Sequence, residues 1–179
     1  AALGGYLLGS VPWGLVLTLM AGKGDIRNIG SGNIGATNVL RTGNKPLAFL
    51  TLVLDASKGG LAAYLFTRFG SDVAGLTAGF AAVIGHNFPI WLKFKGGKGV
   101  ATTLGVLTVT AWPVGVLACA SWLLVAGTLR YSSLASLVAL AASPAFAYWF
   151  KMPNVAWMAG GLAILAFIRH HQNIRRLIA

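Results

Sequence analysis

Apolar residues in this chain fall into long unbroken runs, at about 3–22, 46–68, 72–92, 99–112, 113–129, 133–150 and 154–169, separated by short polar gaps. Neither the narrow stripe of an amphipathic surface helix nor the alternation of a half-buried strand describes them. Most of the runs approach the roughly 20 residues that a helix needs to cross a hydrocarbon core of about 30 Å. The pattern predicts an all-α, polytopic integral membrane protein with about seven transmembrane helices. The fourth and fifth runs are short and meet at Trp112-Pro113, so a re-entrant pair is the alternative to two full spans there. Either arrangement returns the chain to the side it left. The first run is too long for a secretory signal and is followed by further spans, so it reads as an ordinary first membrane helix.

Composition agrees with this pattern. Of the 179 residues, 56% are apolar and 9% are charged, against about a quarter charged in a soluble domain. Glu is absent. So little charge excludes a disordered chain, a coiled coil and an acidic-tail protein. The single cysteine, Cys119, excludes a disulfide scaffold and, in its apolar run, reads as an inert packing thiol. A net charge of +11 would suit nucleic acid, but the cations are confined to gaps between apolar runs, so no nucleic-acid partner is expected. They sort by side instead. Lys23, Arg27, Arg41, Lys45, Lys93, Lys95, Lys98, Arg130, Arg169, Arg175 and Arg176 fall on one side of the alternating gaps, whereas Arg68 and Lys151 fall on the other. The positive-inside rule makes the rich side cytoplasmic, with the N-terminus outside and the C-terminus inside. Trp91, Trp112, Trp149 and Trp157 lie near run ends, as interfacial anchors should.

Three polar clusters share the cation-rich side. The first reads Gly30-Ser31-Gly32-Asn33-Ile34-Gly35-Ala36-Thr37-Asn38-Val39-Leu40-Arg41, with Asp55 20 residues past Gly35. A literal G-x-G-x-x-G is present, but no strand precedes it and Asp55 lies inside a predicted membrane helix, so the dinucleotide reading fails. Backbone N–H groups of Gly32, Asn33 and Gly35 can still converge on an oxyanion, with Ser31, Thr37, Asn38 and Arg41 as side-chain donors. The alternative is a flexible turn that binds nothing.

The second cluster runs from His86-Asn87-Phe88-Pro89 to Lys95-Gly96-Gly97-Lys98-Gly99 at the start of a helix. It lacks the Walker A spacing, yet two lysines around a Gly-Gly pair at a helix N-terminus suit an anion. A basic loop touching lipid headgroups is the alternative. In the third cluster, Arg169-His170-His171-Gln172-Asn173-Ile174-Arg175-Arg176, helical spacing puts His170 and Asn173 on one face and turns His171 away. One histidine is therefore expected to face the bundle. Asp55 and Lys58, at i and i+3 within the second run, are expected to form a structural ion pair. Paired carboxylates, Cys/His metal spacing and a supported Ser/His/Asp set are all absent, so no metal and no cofactor is expected. Sites rich in cations and N–H donors but poor in bases suit an activated phosphate-bearing substrate with a greasy part.

Together, the GSGNIGATNVLR loop, the GHNFPIWLKFKGGKGVAT segment and the RHHQNIRR ending resemble the bacterial membrane acyltransferases that move a fatty acyl group from acyl phosphate to sn-glycerol 3-phosphate. The resemblance covers essentially the whole chain. It implies a single integral-membrane acyltransferase domain over 1–179, in the bacterial inner membrane with its active site on the cytoplasmic face. Acyl phosphate and glycerol 3-phosphate are its implied substrates and the bilayer its surroundings, with no obligatory protein partner. Consistently, no H-x-x-x-x-D occurs: the fifth residues after His86, His170 and His171 are Trp91, Arg175 and Arg176.

By resemblance, Ser31 and Arg41, then Lys98 with its flanking glycines, then His170 with Asn173 carry the site, and Ser133 joins them. The expected division has amides of Gly96, Gly97 and Gly99 with Lys98 holding the acyl phosphate, and Arg41 with Ser31, Thr37 or Asn38 holding the glycerol phosphate, or the two exchanged. The attacking hydroxyl's proton goes to His170 or to the donor phosphate. The second is favoured, because a histidine among cations is a poor acceptor. The rival reading, a transporter for phosphorylated solutes, calls for inverted repeats that the chain does not show.

Overall fold

The computed structural model describes residues 1–178, which form an all-helical bundle. Its helices are α1 (Ala2–Gly9), α2 (Trp13–Met20), α3 (Ala36–Val39), α4 (Lys45–Arg68), α5 (Asp72–Asn87), α6 (Val100–Thr110), α7 (Trp112–Leu129), α8 (Ser132–Trp149), α9 (Pro153–Arg169) and α10 (His171–Ile178). Five stretches are long and apolar enough to cross a membrane: Ala2–Met20, Lys45–Arg68, Asp72–Leu92, Trp112–Leu129 and Ser132–Trp149. Val100–Thr110 and Pro153–Arg169 are shorter apolar helices. Leu3, Phe49, Leu124, Trp157 and Ile164 are among the large apolar side chains left exposed, as a lipid-facing surface requires.

Helix ends follow local chemistry. Asn44 accepts the Leu47 N–H to start α4, and Ser71 accepts that of Ala74 to start α5. Pro113 and Pro153 occupy first turns, where a missing N–H costs nothing. Pro144 stands inside α8, and the Leu140 carbonyl it would leave unpaired accepts the Ser143 hydroxyl at 2.8 Å.

Four expectations are corrected. The first span is two eight-residue helices broken over Ser10–Pro12, because the residue before a proline avoids the helical region. At that break the Val11 carbonyl accepts the Trp13 N–H at 3.1 Å and the Lys58 ammonium at 2.7 Å. The third run ends as a helix at Asn87, since Phe88 precedes Pro89, and continues as a 3-10 turn over Ile90–Leu92. Of the fourth and fifth runs only α6 is short: its 11 residues rise about 16 Å, whereas α7 has 18 residues and rises about 27 Å. Finally, the last run ends at Arg169 as predicted, but the third cluster does not continue it: His170 is the corner from which α10 departs as a separate helix.

Close approach of α4, α5 and α6 puts the polar clusters together. Gly59 faces Thr102, where an added Cβ would lie 2.7 Å from the threonine methyl and carbonyl oxygen, so only glycine fits this α4–α6 crossing. Behind it lies a core of Ala63, Val83, Val106, Leu107, Val114 and Leu162, shared by α4 to α7 and α9.

Candidate active site

All three clusters meet at one end of the bundle around a cavity of about 470 Å³. Ser31, Arg41, Lys98, His170 and Asn173 line it, as do Asn33, Gly35, Thr37, Asn38, His86, Gly99 and Ser133. Asp55 reaches the wall as well. Leu52, Val53, Ala56, Leu104, Cys119, Trp122 and Leu123 form an apolar side, and Leu52, Val53 and Leu123 are themselves exposed on the lipid-facing surface. The result is a polar mouth joined to a greasy slot.

The first loop is held by Asn38, which is buried. Its amide donates to the carbonyls of Ile26, Ile29 and Asn33 at 3.0, 2.9 and 2.8 Å, and its oxygen accepts the Ser31 N–H at 3.0 Å. This corrects the expectation that Asn38 donates to phosphate: its N–H groups are engaged in shaping the loop. Gly35 likewise gives its N–H to Asn33 Oδ1 at 2.8 Å, and Gly32, whose N–H bonds Ile29, lies outside the cavity. Arg41 packs on Gly30, whose left-handed φ of +56° and lack of Cβ leave room for the guanidinium. The Ser31 hydroxyl and Arg41 Nη1 also donate to Asn38 Oδ1, at 3.3 and 3.5 Å, so Thr37 and the remaining N–H groups of Arg41 are the donors this loop offers the cavity.

The second loop is also corrected. Gly96 N–H bonds the Asn87 carbonyl and Gly97 N–H bonds that of His86, so neither amide is free for an oxyanion. Lys95 is exposed and outside the cavity. What the loop presents is Lys98, with the N–H groups of Gly99 to Thr102 at the start of α6, ahead of the first helical bond from Thr103 to Gly99. Arg169 fixes this arrangement from α9, its Nε and Nη2 donating to the carbonyls of Gly97 and Gly96 while its guanidinium stacks on the Phe88 ring at 5.0 Å. From the sequence, Arg169 reads as a topological charge at the head of the third cluster, with no role of its own.

Lys98 donates to Asn173 Oδ1, joining the second cluster to the third. Burial, and then the neighbouring Arg176, Arg169 and Arg41, lower its pKa to about 8. His170 is buried and its Nδ1 lies 2.8 Å from the Ala166 carbonyl, so Nδ1 carries the proton and Nε2 presents a lone pair. Burial lowers the His170 pKa to about 4, with Lys98 and Arg169 adding to the effect. His171 is exposed and bonds the Ile168 carbonyl. The structure thus turns one histidine in and one out, as the spacing predicts, although through a corner rather than a continuous helix. Arg176, one turn beyond Asn173 on α10, also lines the cavity and went unremarked as a site residue; its i+3 spacing from Asn173 was the available signal. Cys119, expected as plain packing, lies in the apolar wall.

Asp55 and Lys58 pair at 2.8 Å, both buried, as expected, and His86 completes a triad with its Nδ1 2.8 Å from the Lys58 ammonium. Clusters of three or more metal-ligating side chains are absent among the described residues.

An all-helical integral membrane protein whose cationic, donor-rich cavity opens onto an apolar slot belongs to the class that handles phosphorylated amphiphiles. The family pattern of glycerol-3-phosphate acyltransferases matches residues 1–179, and this chain belongs to that family. The glycerol-3-phosphate acyltransferase of Rhodospirillum rubrum is 62% identical over 185 residues, covering 99% of this chain and 86% of that protein. That of Paramagnetospirillum magneticum is 62% identical over 179 residues, covering 99% and 89%. Among solved structures, the crystal structure of PlsY (YgiH), an integral membrane glycerol 3-phosphate acyltransferase in its glycerol 3-phosphate form, superposes with a TM-score of 0.94 at 38% identity, covering 99% of this chain and 90% of that one. Its lysophosphatidic acid form gives a TM-score of 0.92 at 37% identity, covering 99% and 89%.

Proposed function

We propose that residues 1–179 form one domain that transfers a fatty acyl group from acyl phosphate to the sn-1 hydroxyl of glycerol 3-phosphate, giving 1-acyl-sn-glycerol 3-phosphate and inorganic phosphate. In this reading it is the first step of phospholipid synthesis and occurs at the cytoplasmic face of the bacterial inner membrane; the cation excess of the loops around the cavity supports that side. Seven crossings, with α6 and α7 forming the fourth and fifth, suit this orientation. The observation that carries the reading is the convergence of Ser31, Arg41, Lys98, His170 and Asn173 on a cavity whose other wall is apolar and reaches the lipid-facing surface. Glycerol 3-phosphate and lysophosphatidic acid forms of the related PlsY support the acceptor and the product.

In this reading Lys98 and the α6 N-terminus hold one phosphate, and Arg41 with Ser31 and Thr37 holds the other, with Arg176 between them. The acyl chain enters laterally along Leu52, Val53 and Leu123. Catalysis is orientation and charge neutralisation. The sn-1 oxygen bonds to the acyl carbonyl carbon, the carbon–oxygen bond to phosphate breaks, and the hydroxyl proton goes to an oxygen of the departing phosphate. His170 Nε2 accepts a hydrogen bond from the hydroxyl and aims it. With a pKa of about 4, it is too weak a base to keep the proton.

Purified protein in lipid, given palmitoyl phosphate with and without glycerol 3-phosphate and palmitoyl-CoA as a separate donor, tests the proposal. Phosphate release that needs both substrates, with no turnover of the CoA donor, is expected. Absence of release from folded protein overturns it.

A further inference from the structure

Lys58 is buried inside the bundle with an ammonium that has three N–H groups, and three acceptors surround it. The Val11 carbonyl is at 2.7 Å, Asp55 Oδ1 at 2.8 Å and His86 Nδ1 at 2.8 Å. An ammonium has no lone pair, so it donates to the Val11 carbonyl and to His86 Nδ1, while its contact with Asp55 Oδ1 is an ion pair. His86 Nδ1 must therefore be unprotonated and accepting, even though Asp55 Oδ1 also lies 3.5 Å from it. The ammonium between them neutralises that pair of acceptors. For a neutral imidazole, an accepting Nδ1 leaves the proton on Nε2.

That Nε2 edge packs against Gly97, in the loop that borders the site. His86 lines the cavity, and a Cβ on Gly97 would overlap its Nε2, so the imidazole edge sits directly against the loop that carries Lys98. The His86 carbonyl accepts the Gly97 N–H at 3.0 Å, which fixes ring and loop together. Helix α4 supplies Asp55 and Lys58, α5 supplies His86, and the α1–α2 break supplies the third acceptor.

We propose that Lys58 and Asp55 are positioning residues that lock His86 as the Nε2–H tautomer, so that His86 donates a hydrogen bond from Nε2 to a substrate oxygen in the cavity. The assignment rests on the acyltransferase reading for the identity of that oxygen. Either a phosphate oxygen or the acyl carbonyl oxygen as it gains negative charge matches the donor. This complements His170, whose bond to Ala166 fixes the opposite tautomer: one buried histidine gives a hydrogen bond and the other accepts one.

Histidine-selective 15N NMR of the lipid-reconstituted protein, with His86→Gln identifying the His86 signals, reads the tautomer without any turnover. A protonated Nε2 and an unprotonated Nδ1 are expected; a protonated Nδ1 overturns the proposal. Kinetics supply the second arm. Gln places an amide N–H near the Nε2 position, whereas Asn and Phe do not. His86→Asn and His86→Phe are expected to lower kcat/KM about 100-fold, and His86→Gln to recover at least ten-fold of that loss. A loss carried in KM assigns the phosphate oxygen, and one carried in kcat assigns the carbonyl oxygen. Equal losses in all three variants, each shown to be folded, overturn the donor role. Failure of wild-type protein to turn over acyl phosphate, with the tautomer as stated, counts against the acyltransferase reading and leaves the lock intact.

Discussion

Replacing Arg169 with lysine keeps the charge and removes the geometry. Arg169 makes bonds of 3.1, 3.0 and 3.0 Å to the Gly97 and Gly96 carbonyls and stacks on Phe88 at 5.0 Å. A lysine offers one compact ammonium, which cannot span two successive carbonyls in a plane or lie flat on a ring. Charge-assisted hydrogen bonds contribute about 1.5–3 kcal/mol each, and partial exposure of Arg169 places these near the lower end, so losing one bond and the stack costs the loop about 2 kcal/mol. At about 1.4 kcal/mol per factor of ten, the loop then holds Lys98 in place roughly 30-fold less well. The bundle itself is untouched, because helix packing rather than this loop holds it. Arg169→Lys is therefore expected to lower kcat/KM about 30-fold in a phosphate-release assay while the unfolding midpoint moves by no more than a few degrees. Arg175→Lys, exposed on α10, serves as the control and should stay within two-fold. If Arg169→Lys also stays within three-fold of wild type, the carbonyl clamp is not what positions Lys98.

Lys98 binds phosphate only when protonated, and its lowered pKa of about 8 means that kcat/KM falls as pH rises through that value, a limb that a pH profile from 6 to 10 reveals and Lys98→Arg should push to higher pH. His170→Ala is expected to reduce kcat about 100-fold without changing the shape of that profile; total loss at every pH, with both substrates still bound, contradicts proton transfer to the donor phosphate. Gly59→Leu forces a side chain into Thr102, and thermal unfolding in detergent should show a destabilisation of at least about 2 kcal/mol, as overpacking produces. Leu104→Trp fills part of the apolar wall and should shift preference toward shorter acyl phosphates, measured as kcat/KM against chain length.

The sequence made the helices legible because a membrane imposes length and apolarity on every crossing, and the three clusters legible because glycines, hydrogen-bonding side chains and cations recur together in gaps on one side. It also carried two signals that apolar counting overrode: Pro12 breaks the first span, and Pro89 ends α5 early. Which amides of a glycine-rich loop are free was not legible at all. Gly96 and Gly97 bond carbonyls of Asn87 and His86, nine and eleven residues earlier, and that pairing exists only once the loop folds back on α5. Charge was ambiguous in the same way. Arg169, Arg175 and Arg176 lie on one side of the membrane by the same rule, yet one clamps a loop, one is exposed and one lines the cavity.

Buried polarity gives the sharper lesson. Asp55 and Lys58 at i and i+3 announce an ion pair, and the expectation stops there because a carboxylate and an ammonium complete a simple count of charge. A count of hydrogens does not close: the ammonium has two further N–H groups that must find acceptors in a region without water. The fold supplies them from two distant segments, the Val11 carbonyl at the α1–α2 break and an imidazole nitrogen at the cavity wall. An unmet donor inside a membrane helix is therefore a demand on the rest of the structure. Here, meeting it ties the α1–α2 break to α4 and sets the hydrogen-bonding character of a histidine in the site.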